Sequence, residues 1–405
     1  MNMVHNGLRQ RALLATAVAA VAWLLAALGL WQLWPGHAGR WALLSGLALA
    51  YVLALFWRHL AANHRAGETA VLPTLGLGNS LTLYRGLATA LLAGFLLSPW
   101  PVGWLAWLPA LLYMTADVAD YLDGYAARRA NHATRLGEIL DMEYDGLSVL
   151  IVTLLAVWYG QLPWWYLPLG LARYLFIFGL WLRARRGLPV YDLPPSVHRR
   201  VIAGFQMGFL SAVLWPIVPP AGATIAGAVF GGATAVSFLR DWLVVSGQLN
   251  PEDQAYRLWQ RRSFTAATRW LPLVLRLILA ESLAVVVLAM PNWWPPDDWV
   301  ALLAAWGLPG AVLLADLAIL LVILGGTAVA LGFLGRIISF LLVFPLGFDI
   351  LSHGLTWANG TALACATAIM LLGTGAWSLW QPEERWLGKR GGEEGTQWQG
   401  DRVAG

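Results

Sequence analysis

Charge, cysteine and lysine are all scarce in this sequence, and each shortage excludes a class of protein. Charged residues make up 12% of the 405 residues, against about 25% in soluble globular domains. Cys365 is the single cysteine, so no disulfide can form within one chain and a disulfide-stabilised secreted domain is excluded. Lys389 is the single lysine and the net charge is only +4. We therefore expect no nucleic-acid partner.

Apolar residues dominate instead, at 59% of the chain with 25 tryptophans, which indicates an all-α integral membrane protein. A spanning helix needs about 20 mostly apolar residues. The first apolar run is too long for the apolar region of a signal peptide and is expected to remain as a span. Allowing for loose boundaries, the sequence predicts twelve spans, at 12–34, 41–56, 81–97, 102–118, 147–159, 164–182, 201–217, 221–239, 271–290, 310–331, 337–351 and 361–380.

The distribution of arginine predicts the orientation of these spans, because positive residues collect in cytoplasmic loops. Arginines occupy alternate connections, whereas the intervening loops are short and nearly uncharged. The loop 291–299 is acidic and aromatic, as expected at an outer interface. The pattern predicts a multi-pass plasma-membrane protein with both termini in the cytoplasm.

Hydropathy also divides the chain into five segments. We expect a two-span N-terminal region at 1–66, a six-helix core at 67–247, a cytoplasmic linker at 248–267, a four-span block at 268–382 and a polar cytoplasmic tail at 383–405.

Four aspartates carry the clearest chemical signal. Asp120 and Asp123 end one predicted span, and Asp141 and Asp145 open the next. Residues three or four apart share a helix face, so antiparallel helices would bring all four carboxylates together near the cytoplasmic end of the bundle. Close carboxylates disfavour one another's ionised form unless cations are present. All-oxygen sites favour Mg²⁺, Mn²⁺ or Ca²⁺, and four carboxylates can hold two such ions about 4 Å apart.

The residues between these aspartates point to a phosphate ligand. Gly124, Ala127 and Gly137 are small, which suits the close approach of a ligand or a second backbone. Arg128 offers a planar fork that matches phosphate oxygens. Together with bound cations, these residues indicate a diphosphate site.

The segment 120–145 reads D-x2-D-G-x2-A-R-x8-G-x3-D-x3-D, which resembles the signature of the CDP-alcohol phosphotransferase (CDP-alcohol phosphatidyltransferase) family. The stretch 79–85 resembles the start of that family's first core helix. The resemblance covers about 67–247 and implies a six-helix membrane enzyme. Such an enzyme transfers a phosphatidyl-type group from a CDP-linked lipid, such as CDP-diacylglycerol, to an alcohol and releases CMP.

The same resemblance implies roles for individual residues. Two Mg²⁺ or Mn²⁺ ions would be held by Asp120, Asp123, Asp141 and Asp145. Asp145 would also be the base, although it could instead be only a fourth metal ligand. The CDP moiety would be contacted by Gly124, Ala127, Arg128, Gly137 and Thr82. The expected partners are the lipid donor, an alcohol acceptor, membrane lipids and a second copy of the chain in a homodimer.

The acceptor is not readable from the motif, but the cytoplasmic arginines favour a polyol phosphate over an unphosphorylated polyol. Arg199 and Arg200 begin a span and suit a phosphate, although positive-inside topology explains them equally well. Arg173 lies inside a span, so it should face the cavity or pair with an acid. Asp117 lies one turn before Asp120, and it either supports the acidic site or contacts a neighbouring helix.

Two further interpretations stay open at this point. The four-span block resembles small DoxX-like membrane proteins in its glycines and hydropathy, and its charged residues either pair with one another or mark a separate site. A divalent-cation transporter or channel-like membrane protein is the alternative function for the acidic cluster, although Arg128 beside the ligands would repel a passing ion. The block's charged residues are Arg276, Glu281, Asp316, Arg336, Asp349 and His353.

Overall fold

The computed structural model describes residues 2–65, 67–129, 132–193, 197–250, 253–254, 256, 258, 262, 265–290, 292 and 294–382. Within helices, the side chains of some residues also lie outside the description. These include Gly124, Ala127, Arg128 and Arg200, so the contacts predicted for them stay predictions. The whole tail at 383–405 also lies outside the described residues.

The described residues form helices and connecting segments without a strand, which confirms the all-α class. The α-helices are α1 (Asn2–Leu33), α2 (Pro35–His59), α3 (Gly76–Ala93), α4 (Leu108–Arg129), α5 (Arg135–Trp158), α6 (Leu167–Gly170), α7 (Ala172–Arg185), α8 (Val197–Val213), α9 (Pro220–Val245), α10 (Leu271–Ala289), α11 (Asp297–Ala305), α12 (Ala311–Leu320), α13 (Gly326–Ala330), α14 (Gly335–His353) and α15 (Trp357–Leu372).

Many of these helices suit a bilayer, in agreement with a multi-pass membrane protein. Among the described residues, six helices are long and apolar enough to cross a membrane, or seven when α6 and α7 count as one broken span. The predicted span at 164–182 is bent by 58° between α6 and α7. The predicted span at 310–331 contains one continuous candidate span, Ala311–Ala330, with a π-helical turn at Leu321–Gly325 between α12 and α13. The total of twelve spans stays a prediction.

The chain forms two compact units. The first contains residues 1–179 and 206–218, and the second contains residues 180–205 and 219–405. The domain boundaries drawn from hydropathy stay a prediction.

The second unit packs α15 against α9, α10 and α14. Asp349 accepts from His353 at 2.9 Å, and the other ring nitrogen of His353 lies 3.0 Å from Asp298. Arg276 instead donates to the carbonyl of Ala376 at 2.6 Å. Arg336 donates to two carbonyls at the C-terminal end of α15, where a cation is favoured by the helix dipole. The charged residues of this block therefore pair with one another only in part.

In the first unit, α3 packs against α2, α4 and α5. The approach is close at Gly86, where an added Cβ would lie 2.7 Å from Val52 Cγ1 and 2.9 Å from Tyr144 Cε2. Tyr144 on α5 also donates to the carbonyl of Val52 on α2 at 2.9 Å. Glycine at position 86 thus lets three helices meet without a gap.

A buried polar network joins α3 to the start of α5. The amide nitrogen of Asn79 donates to Asn63 Oδ1 and to Thr134 Oγ1, both at 3.0 Å. Thr134 is the N-cap of α5, and its hydroxyl accepts from the backbone of Gly137 at 3.1 Å. Such a cap satisfies an orphan amide of the first turn. The network therefore determines where α5 begins relative to α3.

We expect Asn79→Leu to lower the free energy of unfolding by about 2 kcal/mol, because it leaves buried polar partners unsatisfied. Asn79 is 3% exposed, so water cannot replace the lost hydrogen bonds. Thermal unfolding of the full chain in detergent measures the change. Ser80→Ala is the matched control: Ser80 neighbours Asn79, is exposed, and its hydroxyl donates to the carbonyl of Gly76 on its own helix. Equal stability of the two variants would contradict the network's role.

Candidate functional site

One face of α3 is polar although the helix is apolar overall. Asn79, Thr82 and Arg85 follow one another at intervals of three residues, and all three are buried. Residues at this spacing share a face of a helix. Since α3 packs against both α4 and α5, this face meets the helices that carry the aspartates.

The four aspartates come together as expected. Asp120 and Asp123 lie on α4, and Asp141 and Asp145 lie on α5. Oxygen atoms from Asp120, Asp141 and Asp145 all lie within 4.8 Å of one another. Asp123 is the most buried of the four, at 8% exposure. Asp141 and Asp145 are four residues apart on α5, which begins after its N-cap Thr134, so they share one face of that helix.

Arg85 lies at the centre of the acidic cluster. Its Nη1 contacts Asp120 Oδ1 at 2.7 Å, Asp123 Oδ2 at 3.0 Å and Asp141 Oδ1 at 2.5 Å. Its Nη2 contacts Asp145 Oδ1. One guanidinium therefore touches all four carboxylates: it donates charge-assisted hydrogen bonds to Asp123, Asp141 and Asp145, and it forms an ion pair with Asp120.

Thr82, predicted to contact CDP, holds one aspartate in place. Its hydroxyl donates to Asp123 Oδ2 at 3.0 Å. Asp123 thus has two partners on α3, one turn apart, which orients its carboxylate before any ligand binds.

The donor set suits a divalent cation. The converging atoms are carboxylate oxygens from two helices, the ligands that hard cations such as Mg²⁺ prefer. Half-buried carboxylates at the end of a helix bundle leave room for water or substrate oxygens to complete the coordination. Asp120, Asp123, Asp141 and Asp145 are therefore the residues that could hold such ions.

Gly137, which is predicted to contact CDP, lies against the side chain of Asn79 on α3. A Cβ at Gly137 would lie 2.5 Å from Asn79 Oδ1, so glycine here lets α5 approach the buried amide. Contact of Gly137 with CDP stays a prediction.

Other charged residues have partners of their own. Asp117 accepts from Ser211 on α8 at 2.8 Å, so it makes the contact to a neighbouring helix. Arg173 pairs with Glu143 at 3.0 Å, which confirms that this intramembrane cation pairs with an acid. In the second unit, Arg199 pairs with Asp241 at 3.1 Å. Acceptor binding by Arg173, Arg199 and Arg200 stays a prediction.

Sequence reasoning missed Arg85. The available signal was its position six residues after Asn79 and three after Thr82, on one face of an otherwise apolar helix. A buried cation there needs acidic partners, and the four aspartates were the only acidic set already assigned to the site.

Comparison with known proteins supports the family that the aspartate signature resembles. The model of the CDP-alcohol phosphatidyltransferase family matches residues 75–239. A CDP-diacylglycerol--glycerol-3-phosphate 3-phosphatidyltransferase of Pectobacterium atrosepticum is 36% identical over 151 residues, which cover 36% of this chain and 76% of the relative. The Escherichia coli protein of the same name is 37% identical over 82 residues, or 20% of this chain and 45% of the relative.

A putative cardiolipin synthase of Mycobacterium tuberculosis is 33% identical over 112 residues, or 27% of this chain. The chain spans about half the length of this relative, 51%. No solved structure matches the chain.

The acidic cluster predicts stabilisation by magnesium. An ion that binds only the folded chain raises the free energy of unfolding by about 2.7 kcal/mol at a hundredfold excess over its Kd. We expect Mg²⁺ to raise the unfolding temperature of the wild-type chain in detergent, and Asp141→Asn to lose more than half of that rise.

Glu138→Gln is the matched control for this titration. Glu138 lies one turn before Asp141 on α5, is exposed and pairs with Arg135 at 2.7 Å, so its variant should respond as the wild type does. An undiminished rise in Asp141→Asn would show that magnesium binds elsewhere.

Proposed function

Because the chain belongs to the CDP-alcohol phosphatidyltransferase family, we propose that it transfers a phosphatidyl group from a CDP-linked lipid, such as CDP-diacylglycerol, to an alcohol and releases CMP. The observation that carries the proposal is the meeting of Asp120, Asp123, Asp141 and Asp145 at one point. These four aspartates are also the acidic positions of the signature, so motif and geometry support the same chemistry.

In this proposal the four aspartates hold two divalent ions, Mg²⁺ or Mn²⁺. When bound, such ions neutralise the donor's diphosphate, polarise the phosphorus under attack and stabilise the leaving phosphate of CMP. The protein's own part is to hold its carboxylates in place, through Thr82 on Asp123 and through the packing of α3 against α4 and α5. Gly124, Ala127, Arg128 and Gly137 contact the CDP moiety.

The transfer forms one bond and breaks one. The acceptor's hydroxyl oxygen bonds to the phosphorus that carries the lipid alcohol, while the bond from that phosphorus to the oxygen of CMP breaks. Asp145 takes the proton of the attacking hydroxyl. For this step its carboxylate must lie within hydrogen-bond reach of that hydroxyl. Arg85 touches Asp145 through Nη2 and thereby orients its carboxylate.

For the acceptor we propose a phosphorylated polyol. A phosphate on the acceptor would suit an arginine side chain, and Arg173, Arg199 and Arg200 are each a candidate for that contact. The names of two relatives, which specify glycerol 3-phosphate, support the same class of acceptor. The phosphorylated acceptor is water-soluble, so its site belongs at a membrane surface.

We further propose that the chain lies in the plasma membrane as a homodimer with its site on the cytoplasmic side. The arginines of alternate loops support the orientation. A water-soluble CMP leaving group and a lipid donor also require a site at the boundary between membrane and cytosol.

A divalent-cation transporter is the weaker candidate. An ion pathway requires carboxylates that an ion can enter and leave. Here a buried guanidinium touches all four of them, and its fixed positive charge opposes the passage of cations.

Release of CMP tests the function. We expect the purified chain, supplied with CDP-diacylglycerol and Mg²⁺, to release CMP faster with glycerol 3-phosphate or inositol phosphate than with inositol or serine. Asp123→Asn should abolish release at unchanged expression, because the site loses both a charge and an oriented ligand.

The outcomes of this assay separate the proposals. Faster release with inositol or serine would reject the phosphorylated acceptor alone. No release with any acceptor, together with Mn²⁺ uptake into vesicles containing the chain, would reject the transferase and favour the transporter.

Asp145→Asn separates a base from a metal ligand. If Asp145 takes the proton, its loss should lower the rate about 10²- to 10⁴-fold at every Mg²⁺ concentration, with little change in CDP-lipid affinity. Asp141→Asn is the comparison, since loss of a ligand alone should move the Mg²⁺ dependence to higher concentration. Full recovery of Asp145→Asn at high Mg²⁺ would show that it is only a ligand.

A further inference from the structure

Arg85 is a permanent cation inside the acidic cluster, and the sequence motif assigns it no role there. Its side chain is 4% exposed, and an arginine stays protonated in proteins. Four carboxylates from two helices surround it, so one permanently charged group is shared by four acidic side chains.

Nη1 contacts carboxylate oxygens of the aspartates that would hold a metal ion, including Asp120 and Asp141 of the group that could bind one. Three carboxylate oxygens, from Asp120, Asp123 and Asp141, approach this nitrogen to between 2.5 and 3.0 Å. Magnesium bound by carboxylates lies about 2.0–2.1 Å from each oxygen. A nitrogen and an ion cannot occupy the same position among these oxygens, because each would lie inside the contact radius of the other.

The position of Arg85 on α3 supports competition between its guanidinium and a metal ion. Arg85 lies one turn beyond Thr82, which already bonds Asp123, and one residue before Gly86, where α3 meets α2 and α5 without a gap. The backbone that carries the guanidinium is therefore held firmly, and the long side chain is the part that can move.

We propose that Arg85 is an internal counter-cation, which holds the four aspartates together through its guanidinium and competes with a divalent ion for their oxygens. The inference rests on the metal-binding part of the proposed function. Binding of an ion then requires Nη1 to leave its three carboxylates. Arg85 is thus a positioning residue that sets the affinity of the site and relieves repulsion among the aspartates when no ion is held.

The proposal predicts opposite changes in two measurements on the full chain in detergent. In isothermal titration calorimetry after treatment with a chelator, Arg85→Gln should bind Mg²⁺ at least tenfold more tightly than wild type, because the competitor is gone. In chelator its unfolding temperature should fall below that of wild type, since four carboxylates then repel one another, and saturating Mg²⁺ should restore it.

Arg135→Gln is the matched control. Arg135 is an exposed arginine that pairs with Glu138 on α5 outside the cluster, so its loss should change neither measurement. Weaker or unchanged Mg²⁺ binding by Arg85→Gln would overturn the proposal, and weaker binding would make Arg85 a support for the metal ligands.

Arg85→Lys keeps the test decisive should the glutamine variant fail to fold. Lysine retains the charge but has a single nitrogen, so it cannot hold Asp145 and the other three aspartates as the fork does. Its Mg²⁺ affinity should exceed that of wild type at least threefold, and equal or lower affinity would overturn the proposal. Absence of Mg²⁺ binding in wild type itself would reject the metal site, whatever the variants do.

Discussion

Repulsion between four carboxylates is the constraint on which the rest of the first unit depends. Asp120, Asp123, Asp141 and Asp145 lie at the meeting point of α4 and α5, close enough for their charges to repel one another. Such an arrangement is stable only beside positive charge. Arg85 supplies one charge from a third helix, and the proposed divalent ions would supply the remainder.

The position of that third helix is set by contacts that carry no charge. Asn79 joins α3 to the loop at Asn63 and to the N-cap of α5 at Thr134. Gly86 allows α3 to pack directly on α2 and α5. The apolar cluster that includes Leu8, Phe56 and Leu140 joins the first two helices to α5. The two N-terminal helices, which carry no motif, therefore support the helix that presents Asp141 and Asp145.

A division of roles follows within α3. Its apolar residues and Gly86 hold the helix in place, while its polar face is directed at the aspartates. A buried polar face on a membrane helix is expensive unless every group has a partner. Here Thr82 and Arg85 meet carboxylates, and Asn79 meets side chains at both of its ends. The same interactions that stabilise the fold thus orient the groups proposed to carry the chemistry.

Much of this was determined by the sequence alone. Hydropathy predicts the all-α membrane class and the approximate position of most helices, because burial in lipid requires long apolar runs. The spacing of the four aspartates predicts their shared faces, because helix geometry is local. The bend between α6 and α7 and the π-helical turn after α12 were not predicted, since both arise within continuous apolar sequence. Arg85 was overlooked as well: it lies 35 residues before Asp120, and only the packing of α3 against α4 and α5 brings its guanidinium to the carboxylates. The spacing of residues along one helix follows directly from the sequence. The pairing of helices depends on how side chains that are distant in the sequence pack together.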